Sequence, residues 1–172
     1  MNEAGNGKKA MVEQSGGRQL AREKRDRNEV LTEVCSVRLG ETLYGIPITH
    51  ILEIVGGARP ERVPLAPEFV GGLVHYRGDV LTTVTVRRLL EMEEQEAAQD
   101  ILVLEGAHGY FGLLVDAVGE VLTVSSKDYE ANPSILEDRR RVILAGAYKL
   151  DGQLLVMLDP EHLDPIRLGT AA

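Results

Sequence analysis

The sequence predicts an all-β protein made of two related β units in tandem, with only short helices. Short runs rich in Val, Ile and Leu recur along the chain between glycine-containing turns, which is typical of small barrels or sandwiches rather than of alternating strands and helices. The second half of the chain also repeats the pattern of the first half, which indicates duplication of one β unit. A chain of 172 residues has room for one large domain or two small ones, and the repeat favours two.

The predicted strands are runs of aliphatic and β-branched residues bounded by turn residues. Residues 34–39 and 43–46 flank a turn at residues 40–42 and are expected to form a hairpin. Further strands are expected at residues 51–55, 80–86, 101–105, 110–115, 118–124, 142–150 and 154–158. Short helical turns are expected at residues 47–52, 67–70 and 160–163.

An internal repeat is the most informative feature of the sequence. Residues 44–54 align with residues 111–121 at an offset of 67, and the alignment matches an aromatic residue, a glycine, a glutamate and four aliphatic positions. Residues 72–81 align with residues 146–155 at an offset of 74. The second half therefore carries seven extra residues, which fit within the polar stretch 125–141. Each half is small for an independent domain, so the two are expected to share an interface.

Composition divides the chain into five segments. Residues 1–32 are polar and charged, with too few apolar side chains to offset the entropy of ordering, and are expected to form a disordered tail. Residues 33–92 and 100–165 are the two predicted β units. Residues 93–99 are an acidic, exposed connector, and residues 166–172 form a C-terminal tail.

Charge and cysteine content exclude several classes of protein. The chain has 19 Lys and Arg against 27 Asp and Glu, a net charge of −8, and residues 1–33 are nearly neutral. The acidic β units argue against a nucleic-acid partner and against docking on an anionic membrane. The single Cys35 excludes an intramolecular disulfide and a cysteine-based zinc site. Since no apolar run suggests a membrane span or a secretion signal, we expect a cytoplasmic protein without membrane insertion.

No catalytic, metal or cofactor site is predicted. The histidines at positions 50, 75, 108 and 162 lack the spacing of metal ligands. Phosphate-binding-loop and nucleophile-elbow motifs do not occur in the sequence. Cys35 lies within a strand pattern, where a buried, unreactive thiol is expected, and Asp116 is expected to be a turn or capping acid. We therefore expect a non-enzymatic protein that needs no cofactor.

Two polar residues stand out from apolar surroundings. Glu53 lies between Leu52 and Ile54 in a predicted strand, and Arg77 precedes the strand at residues 80–86. In a small barrel the two could face each other, since arginine can hold a carboxylate through two parallel hydrogen bonds. Two interpretations stay open: an ion pair at the edge of an apolar binding surface, or two separate exposed charges.

The order and spacing of several short motifs resemble the CheW-like adaptor domains of bacterial chemosensory systems. The matching motifs are YGIPI (44–48), ILEI (51–54), VPLAPEFVGG (63–72), RG (77–78), GLLVD (112–116), VGEV (118–121) and LVMLD (155–159). The resemblance covers about residues 33–165. The chain departs from the family pattern at His75-Tyr76, where Asn-Leu is usual, and at Thr85-Val86, where Asp-Leu is common.

The resemblance implies two SH3-like, five-stranded β-barrel subdomains with short helices around two hydrophobic cores. It also implies a non-catalytic adaptor that couples methyl-accepting chemoreceptors to the CheA histidine kinase. One barrel end would pair with the regulatory domain of the kinase, and a groove near the junction would take the cytoplasmic tip of the receptor. Five residues match positions tied to partner docking in this family: Ile48, Ile51, Glu53, Gly72 and Arg77.

One alternative function stays open at this point. Small β-barrels also serve as binding modules for other partners, either protein or nucleic acid, outside chemotaxis. The acidic charge of the β units disfavours a nucleic acid.

Overall fold

The computed structural model describes residues 29–94, 97, 99–133 and 142–170. Within these residues the chain forms eleven strands, namely β1 (Leu31–Leu39), β2 (Thr42–Pro47), β3 (Ile51–Ala58), β4 (Val70–Tyr76), β5 (Asp79–Thr85), β6 (Gln99–Gly106), β7 (Gly109–Val115), β8 (Ala117–Ser125), β9 (Tyr129–Glu130), β10 (Leu144–Leu150) and β11 (Gln153–Leu158). The α-helices are α1 (Val86–Leu89) and α2 (Pro165–Thr170), and 3-10 helices span Ile48–His50, Ser126–Asp128 and Pro160–Leu163.

The strands form two sheets. Sheet A has the strand order β8-β1-β2-β11-β10-β9, and sheet B has the order β3-β6-β7-β5-β4. Most neighbours are antiparallel, but β2 pairs with β11 in parallel, and so does β5 with β7. The predicted all-β fold with short helices is confirmed.

The two sheets do not follow the two consecutive halves of the chain. Sheet A combines the hairpin β1-β2 of the first half with strands of the second half, and sheet B combines the hairpin β6-β7 of the second half with β3, β4 and β5. The assignment of one β unit to residues 33–92 and another to residues 100–165 is therefore wrong. A repeat identifies which segments are equivalent but does not determine which of them pair, so the exchange of hairpins is invisible in the sequence.

The strand register agrees with the internal repeat. In the parallel pair of sheet A, Gly45 lies opposite Met157; in that of sheet B, Gly112 lies opposite Thr83. These two pairs correspond under the offsets of 67 and 74 found in the sequence. Both glycines pack tightly, since a Cβ on Gly45 would lie 2.9 Å from the Met157 sulfur and one on Gly112 would lie 2.8 Å from Ile101 Cγ2. The two halves therefore build equivalent structures around equivalent glycines.

Both predicted tails contribute to the fold where they are described. Residues 1–28 and 171–172 lie outside the described part of the chain. The tail boundary at residue 32 is wrong, because β1 begins at Leu31 and the Val30 N–H donates to Ser126 Oγ at 3.0 Å. The C-terminal segment predicted as a tail from residue 166 belongs to helix α2.

Some local predictions also differ from the structure. Strand β4 is not predicted from the sequence, because Gly71 and Gly72 interrupt its apolar run. The helix expected at residues 67–70 is a single hydrogen-bonded turn, in which the Val70 N–H donates to the Pro67 carbonyl. Of the predicted connector 93–99, Gln99 begins β6, and residues 95, 96 and 98 lie outside the described residues.

Buried apolar side chains form three clusters within the described residues. A small cluster inside sheet A contains Val34, Val124, Leu155 and Met157. A small cluster inside sheet B contains Leu81, Ile101, Val103 and Leu114. The largest cluster takes side chains from both sheets, and it is named here the shared core. The family resemblance implies two cores, and the shared core is the additional one that joins the sheets.

Strand β6 shows how the shared core accounts for the apolar runs of the sequence. Ile101 and Val103 face the cluster inside sheet B, and Leu102 and Leu104 face the shared core. Each of the four is at most 1% exposed. Because successive side chains of a strand point to opposite faces, a strand buried on both faces is apolar at every position.

A buried ion pair joins the two sheets where the chain passes from β7 to β8. The Asp116 carboxylate accepts two parallel hydrogen bonds from Arg87, from Nε at 2.7 Å and from Nη2 at 2.6 Å. It also accepts the Gly40 N–H at 2.7 Å, in the turn between β1 and β2. Arg87 Nη1 donates to the Glu93 carbonyl at 2.6 Å. With side chains only 6% and 13% exposed, Arg87 and Asp116 tie helix α1, the crossover and the β1-β2 turn together.

The turn of the exchanged hairpin in the other sheet is held in a similar way. The Asp164 carboxylate accepts the Ala107 N–H at 2.9 Å, in the turn between β6 and β7. Asp164 is 5% exposed and also accepts the N–H of Ile166 in α2. Each hairpin is therefore anchored at its turn by a carboxylate from elsewhere in the chain.

We expect Asp116→Asn to lower the free energy of unfolding by about 3 kcal/mol, because it leaves the Arg87 guanidinium buried without a counter-charge. A urea titration measures the loss. The control Lys149→Gln removes an exposed ion pair with Glu130 and is expected to cost less than about 1 kcal/mol. Equal losses in the two variants would contradict the central role of the Asp116 pair.

The same pair predicts a loss of stability in acid. Burial opposes ionisation of Asp116, but hydrogen bonds from Arg87 and Gly40 outweigh it and lower the pKa of this carboxyl below its usual value. A carboxyl whose pKa is lower in the folded state contributes its full stability above the unfolded-state pKa and loses it as the pH falls through the folded-state pKa. The stability difference between wild type and Asp116→Asn should therefore shrink as the pH falls below the usual aspartate range, and an unchanged difference would contradict this prediction.

The exchange of hairpins predicts that the two halves fold only together. We expect fragments 1–94 and 95–172 to lack cooperative urea unfolding when separate, because each lacks the strands that complete its sheets. Mixed in equal amounts, they should regain the circular-dichroism spectrum and the cooperative unfolding of the intact chain. Cooperative unfolding of either fragment alone would contradict the exchanged topology.

Candidate functional site

Glu53, Tyr76 and Arg77 meet at one edge of sheet B. Arg77 Nη2 donates to Glu53 Oε2 at 2.6 Å, and the Tyr76 hydroxyl donates to the same oxygen at 2.7 Å. The guanidinium carbon of Arg77 lies 5.3 Å from the centre of the Tyr76 ring, within the range of a cation–π interaction. Of the two interpretations left open by the sequence, the ion pair is the one found. It uses one guanidinium nitrogen rather than two.

The shape of sheet B brings these three side chains together. Strands β3 and β4 are the first and last strands of the sheet, yet Glu53 on β3 contacts Tyr76 on β4. Val55 of β3 and Val74 of β4 also pack against the same cluster inside the sheet. The sheet therefore curls until its two outer strands approach each other, and the Glu53–Tyr76 hydrogen bond spans the gap between them.

Arg77 occupies an unusual position in the backbone. It and Gly78 form the two-residue turn between β4 and β5, in which Tyr76 pairs with Asp79. Both turn residues have positive φ, 52° and 90°, as a type I′ turn requires. Asn, Asp and Gly are preferred in such turns, and arginine is not. A residue kept in an unfavourable conformation points to a role for its side chain.

The three side chains also fix the charge of the site. The hydrogen bond from Tyr76 lowers the pKa of Glu53 most, desolvation opposes it, and the charge of Arg77 adds to the lowering. The same hydrogen bond raises the pKa of the Tyr76 hydroxyl. At neutral pH Glu53 is therefore ionised and held by two donors. Arg77 is 72% exposed, so its other N–H groups stay available to a partner.

An apolar surface adjoins the ion pair along β3. Leu52 and Ile54 are 50% and 47% exposed, which is high for large apolar side chains in a strand. Ile54 pairs with Leu102, whose side chain belongs to the shared core. The exposed side chains thus extend the apolar surface of the shared core to the solvent. Ile48 and Ile51 are partly buried against the same core. We name Ile48, Ile51, Leu52 and Ile54 the β3 surface.

Four of the five residues matched to docking positions lie on β3, just before it, or in contact with it. Gly72 differs, because it is buried in β4 with φ of 136°. A Cβ at this position would lie 2.5 Å from the Glu61 carbonyl oxygen, and the Gly72 carbonyl accepts the Thr83 hydroxyl at 2.9 Å. Gly72 therefore allows the loop before β4 to pack closely and presents no surface to a partner.

Sequence reasoning missed Tyr76, Leu52 and Ile54 as parts of the site. A signal was present for each of them. Tyr76 directly precedes Arg77, in the dipeptide His75-Tyr76 at which the sequence departs from the pattern that the resemblance implies. Leu52 and Ile54 flank Glu53, and alternation along a strand places the neighbours of an inward-facing residue on the outer face. This inference requires knowing that the Glu53 side chain faces inward, and only the curled shape of sheet B shows that it does.

The described residues form no metal site and no reactive cysteine site. None of their His, Cys, Asp and Glu side chains form a group of three that could hold a metal ion. Burial raises the pKa of the Cys35 thiol and so keeps it protonated, in agreement with the unreactive thiol expected from the sequence. Among the helices that the structure describes, none has both the length and the apolar character to cross a membrane.

These features describe two joined β-sheets that carry an exposed apolar surface with a charged pair at its rim. A family model, that of the CheW-like domain, matches residues 33–165. The chain belongs to the CheW-like domain family, and the resemblance noted in the sequence is confirmed.

Individual relatives agree with this assignment. The chemotaxis protein CheW of Rhizobium meliloti strain 1021 is 30% identical over 142 residues, which cover 81% of this chain and 92% of that protein. The chemotaxis protein CheW of Helicobacter pylori is 28% identical over 142 residues, which cover 81% of this chain and 86% of that protein. The crystal structure of the scaffolding protein TtCheW from Thermoanaerobacter tengcongensis matches with a TM-score of 0.70 at 23% identity, covering 78% of this chain and 92% of that chain. This likeness shows the shared fold.

We expect Tyr76→Phe to raise the pKa of Glu53 toward its ordinary value, because the variant lacks the hydroxyl that stabilises the carboxylate. An NMR titration of the glutamate side-chain carboxyl signals measures the change. Tyr110→Phe is the matched control, since Tyr110 is an exposed tyrosine that does not bond to Glu53. An unchanged pKa of Glu53 in Tyr76→Phe would show that the hydrogen bond does not hold in solution.

Proposed function

We propose that this chain is a non-enzymatic adaptor that couples chemoreceptors to the CheA histidine kinase in a bacterial chemosensory array. Membership of the CheW-like domain family supports the role in chemotaxis. The observation that carries the docking site is the exposed apolar β3 surface beside the Glu53–Arg77 pair. On this proposal the protein works in the cytoplasm, joins receptor arrays through its partners and needs no cofactor.

The β3 surface is suited to the helical cytoplasmic tip of a receptor. An amphipathic helix binds by placing its apolar face against an exposed apolar groove, which Leu52 and Ile54 offer here. Arg77 at the rim can donate hydrogen bonds to a carboxylate on such a helix while Glu53 holds the guanidinium in place. Charged groups at the rim of an interface set its orientation and its selectivity.

An adaptor must hold receptor and kinase at once, so the regulatory domain of the kinase needs a separate surface. The internal repeat offers one on sheet A. Strand β8 is the repeat equivalent of β3, and Val121, which corresponds to Ile54, is 57% exposed. We propose that the regulatory domain of the kinase docks on the sheet A side and leaves the β3 surface to the receptor.

Arg77→Asn tests this function without disturbing the turn, because asparagine is favoured in a type I′ turn. We expect the variant to keep its thermal midpoint and to lose receptor-dependent kinase activation by about tenfold, as for the loss of an interface hot spot. The measurement is kinase autophosphorylation in an assembly of adaptor, kinase and receptor-bearing vesicles from the same organism. Arg167→Gln, which removes an exposed cation from helix α2 outside both proposed docking surfaces, is the matched control.

The outcomes distinguish an error in the proposed receptor site from an error in the proposed adaptor function. Full activation by Arg77→Asn would show that Arg77 does not contact the receptor. Failure of the wild-type chain to activate any receptor–kinase combination from its organism would contradict the adaptor function itself. Binding of the isolated kinase by Arg77→Asn should be unchanged, and a loss there would contradict the placement of the kinase on sheet A.

A further inference from the structure

A cavity of about 620 Å³ lies away from the β3 surface, between the loop at residues 59–68, helix α1 and the start of β6. Its size is that of a site for a small ligand or a short peptide. One wall is apolar and consists of Pro60, Val63, Ala66 and Pro67. Four arginines also line the cavity: Arg59, Arg62 and Arg88, which are exposed, and Arg87, which is buried. The combination of an apolar wall and convergent cations is suited to an acidic peptide.

The cavity already holds a carboxylate of the chain itself. Glu94 Oε1 accepts Arg88 Nε at 2.8 Å, and Glu94 Oε2 accepts Arg62 Nη2 at 3.3 Å. One carboxylate thus bridges two arginines that come from different segments. The hydrogen bond from Arg88 lowers the pKa of Glu94 most, so the carboxyl is ionised in place. The arrangement is that of a carboxylate-binding site occupied by an internal ligand.

The internal ligand is weakly held. The side chains of Arg62, Arg88 and Glu94 are 85%, 42% and 40% exposed. Ion pairs that are open to water contribute little, so a carboxylate from another molecule can replace Glu94 at small cost. The buried Arg87 also lines the cavity but is committed to Asp116 and to the Glu93 carbonyl. The exchangeable cations are therefore Arg59, Arg62 and Arg88.

The cavity lining is positively charged, whereas the molecule as a whole is acidic. Outside the first 33 residues the chain has a net charge of −9, yet arginines converge here against two lining carboxylates, Glu68 and Glu94. The adjacent Leu65 is fully exposed and has a positive φ of 62°, a conformation that is unfavourable for leucine. A leucine held outward next to a cationic cavity adds an apolar contact for a peptide chain that enters it.

We propose that this cavity binds an acidic peptide segment of a protein partner, whose carboxylate displaces Glu94 from Arg62 and Arg88. The apolar wall and Leu65 favour a peptide over a free anion, because a small anion would use only the arginines. This site is separate from the β3 surface and does not depend on the assignment of the receptor. Glu94 then acts as a competitor within the chain, which makes binding conditional on its displacement.

The test is fluorescence anisotropy of a labelled hexaglutamate peptide titrated with the full chain at low ionic strength. Glu94→Gln is expected to tighten binding about threefold, because it removes the internal competitor, and Arg88→Gln is expected to weaken it about threefold or more. Glu130→Gln and Lys149→Gln make the same charge changes in the exposed pair on sheet A and should leave binding unchanged to within about 1.5-fold. A labelled hexaglutamine peptide should not bind.

Three results would overturn the proposal. The first is equal binding of hexaglutamine and hexaglutamate. The second is an unchanged or weaker affinity of Glu94→Gln for hexaglutamate, since the internal carboxylate would then not compete. The third is displacement of the peptide by inorganic phosphate at an equal concentration, which would make the cavity a site for small anions. All variants change exposed side chains, and an unchanged thermal midpoint verifies that each one is folded.

Discussion

The rest of the structure depends on the exchange of hairpins between the two halves of the chain. The exchange places β2 beside β11 and β7 beside β5, and it creates the shared core that neither sheet could build alone. The chain must therefore cross between the sheets after β2 and again after β7. Asp116 and its partners fix the second crossover, and the 3-10 helix Ile48–His50 makes the first. The first crossover leads directly into β3, so the β3 surface begins where the chain changes sheet.

The sequence predicts strands β1, β6 and β7 well because each contains a run of residues buried on both faces. Strand β6 is apolar at four successive positions for this reason. Strand β4 could not be predicted, because Gly71 and Gly72 interrupt its apolar run. Pairing partners could not be predicted, because equivalent halves offer equivalent hydrogen-bonding edges and only three-dimensional packing chooses between them. Arg87 shows the same limit: it and Arg88 are neighbours in the sequence, yet the first is buried against a carboxylate and the second is open to water.

The site combines residues that the family resemblance identified with others that only the fold reveals. Glu53 and Arg77 are adjacent because sheet B curls until β3 meets β4, and Tyr76 donates a second hydrogen bond to the Glu53 carboxylate. Gly72 serves the same region differently, by allowing the loop before β4 to pack against it. The turn at Arg77 and Gly78 favours asparagine on conformational grounds, so arginine at this position exchanges some backbone stability for a charged group at the rim.

The pairing of β2 with β11 has a consequence for biosynthesis. More than 100 residues separate the two strands, so at ribosomal rates β11 emerges roughly 5 to 20 s after β2. During that interval the β2 edge of the hairpin β1-β2 is unpaired, and its β1 edge is unpaired until β8 has emerged. Unpaired strand edges of this kind can join to other chains. Gly45 on β2 gives this edge a weak propensity for strand structure until Met157 covers it. A nascent chain of this topology therefore exposes strand edges that a chaperone would need to shield. Its yield on expression should depend on the speed of translation through its second half.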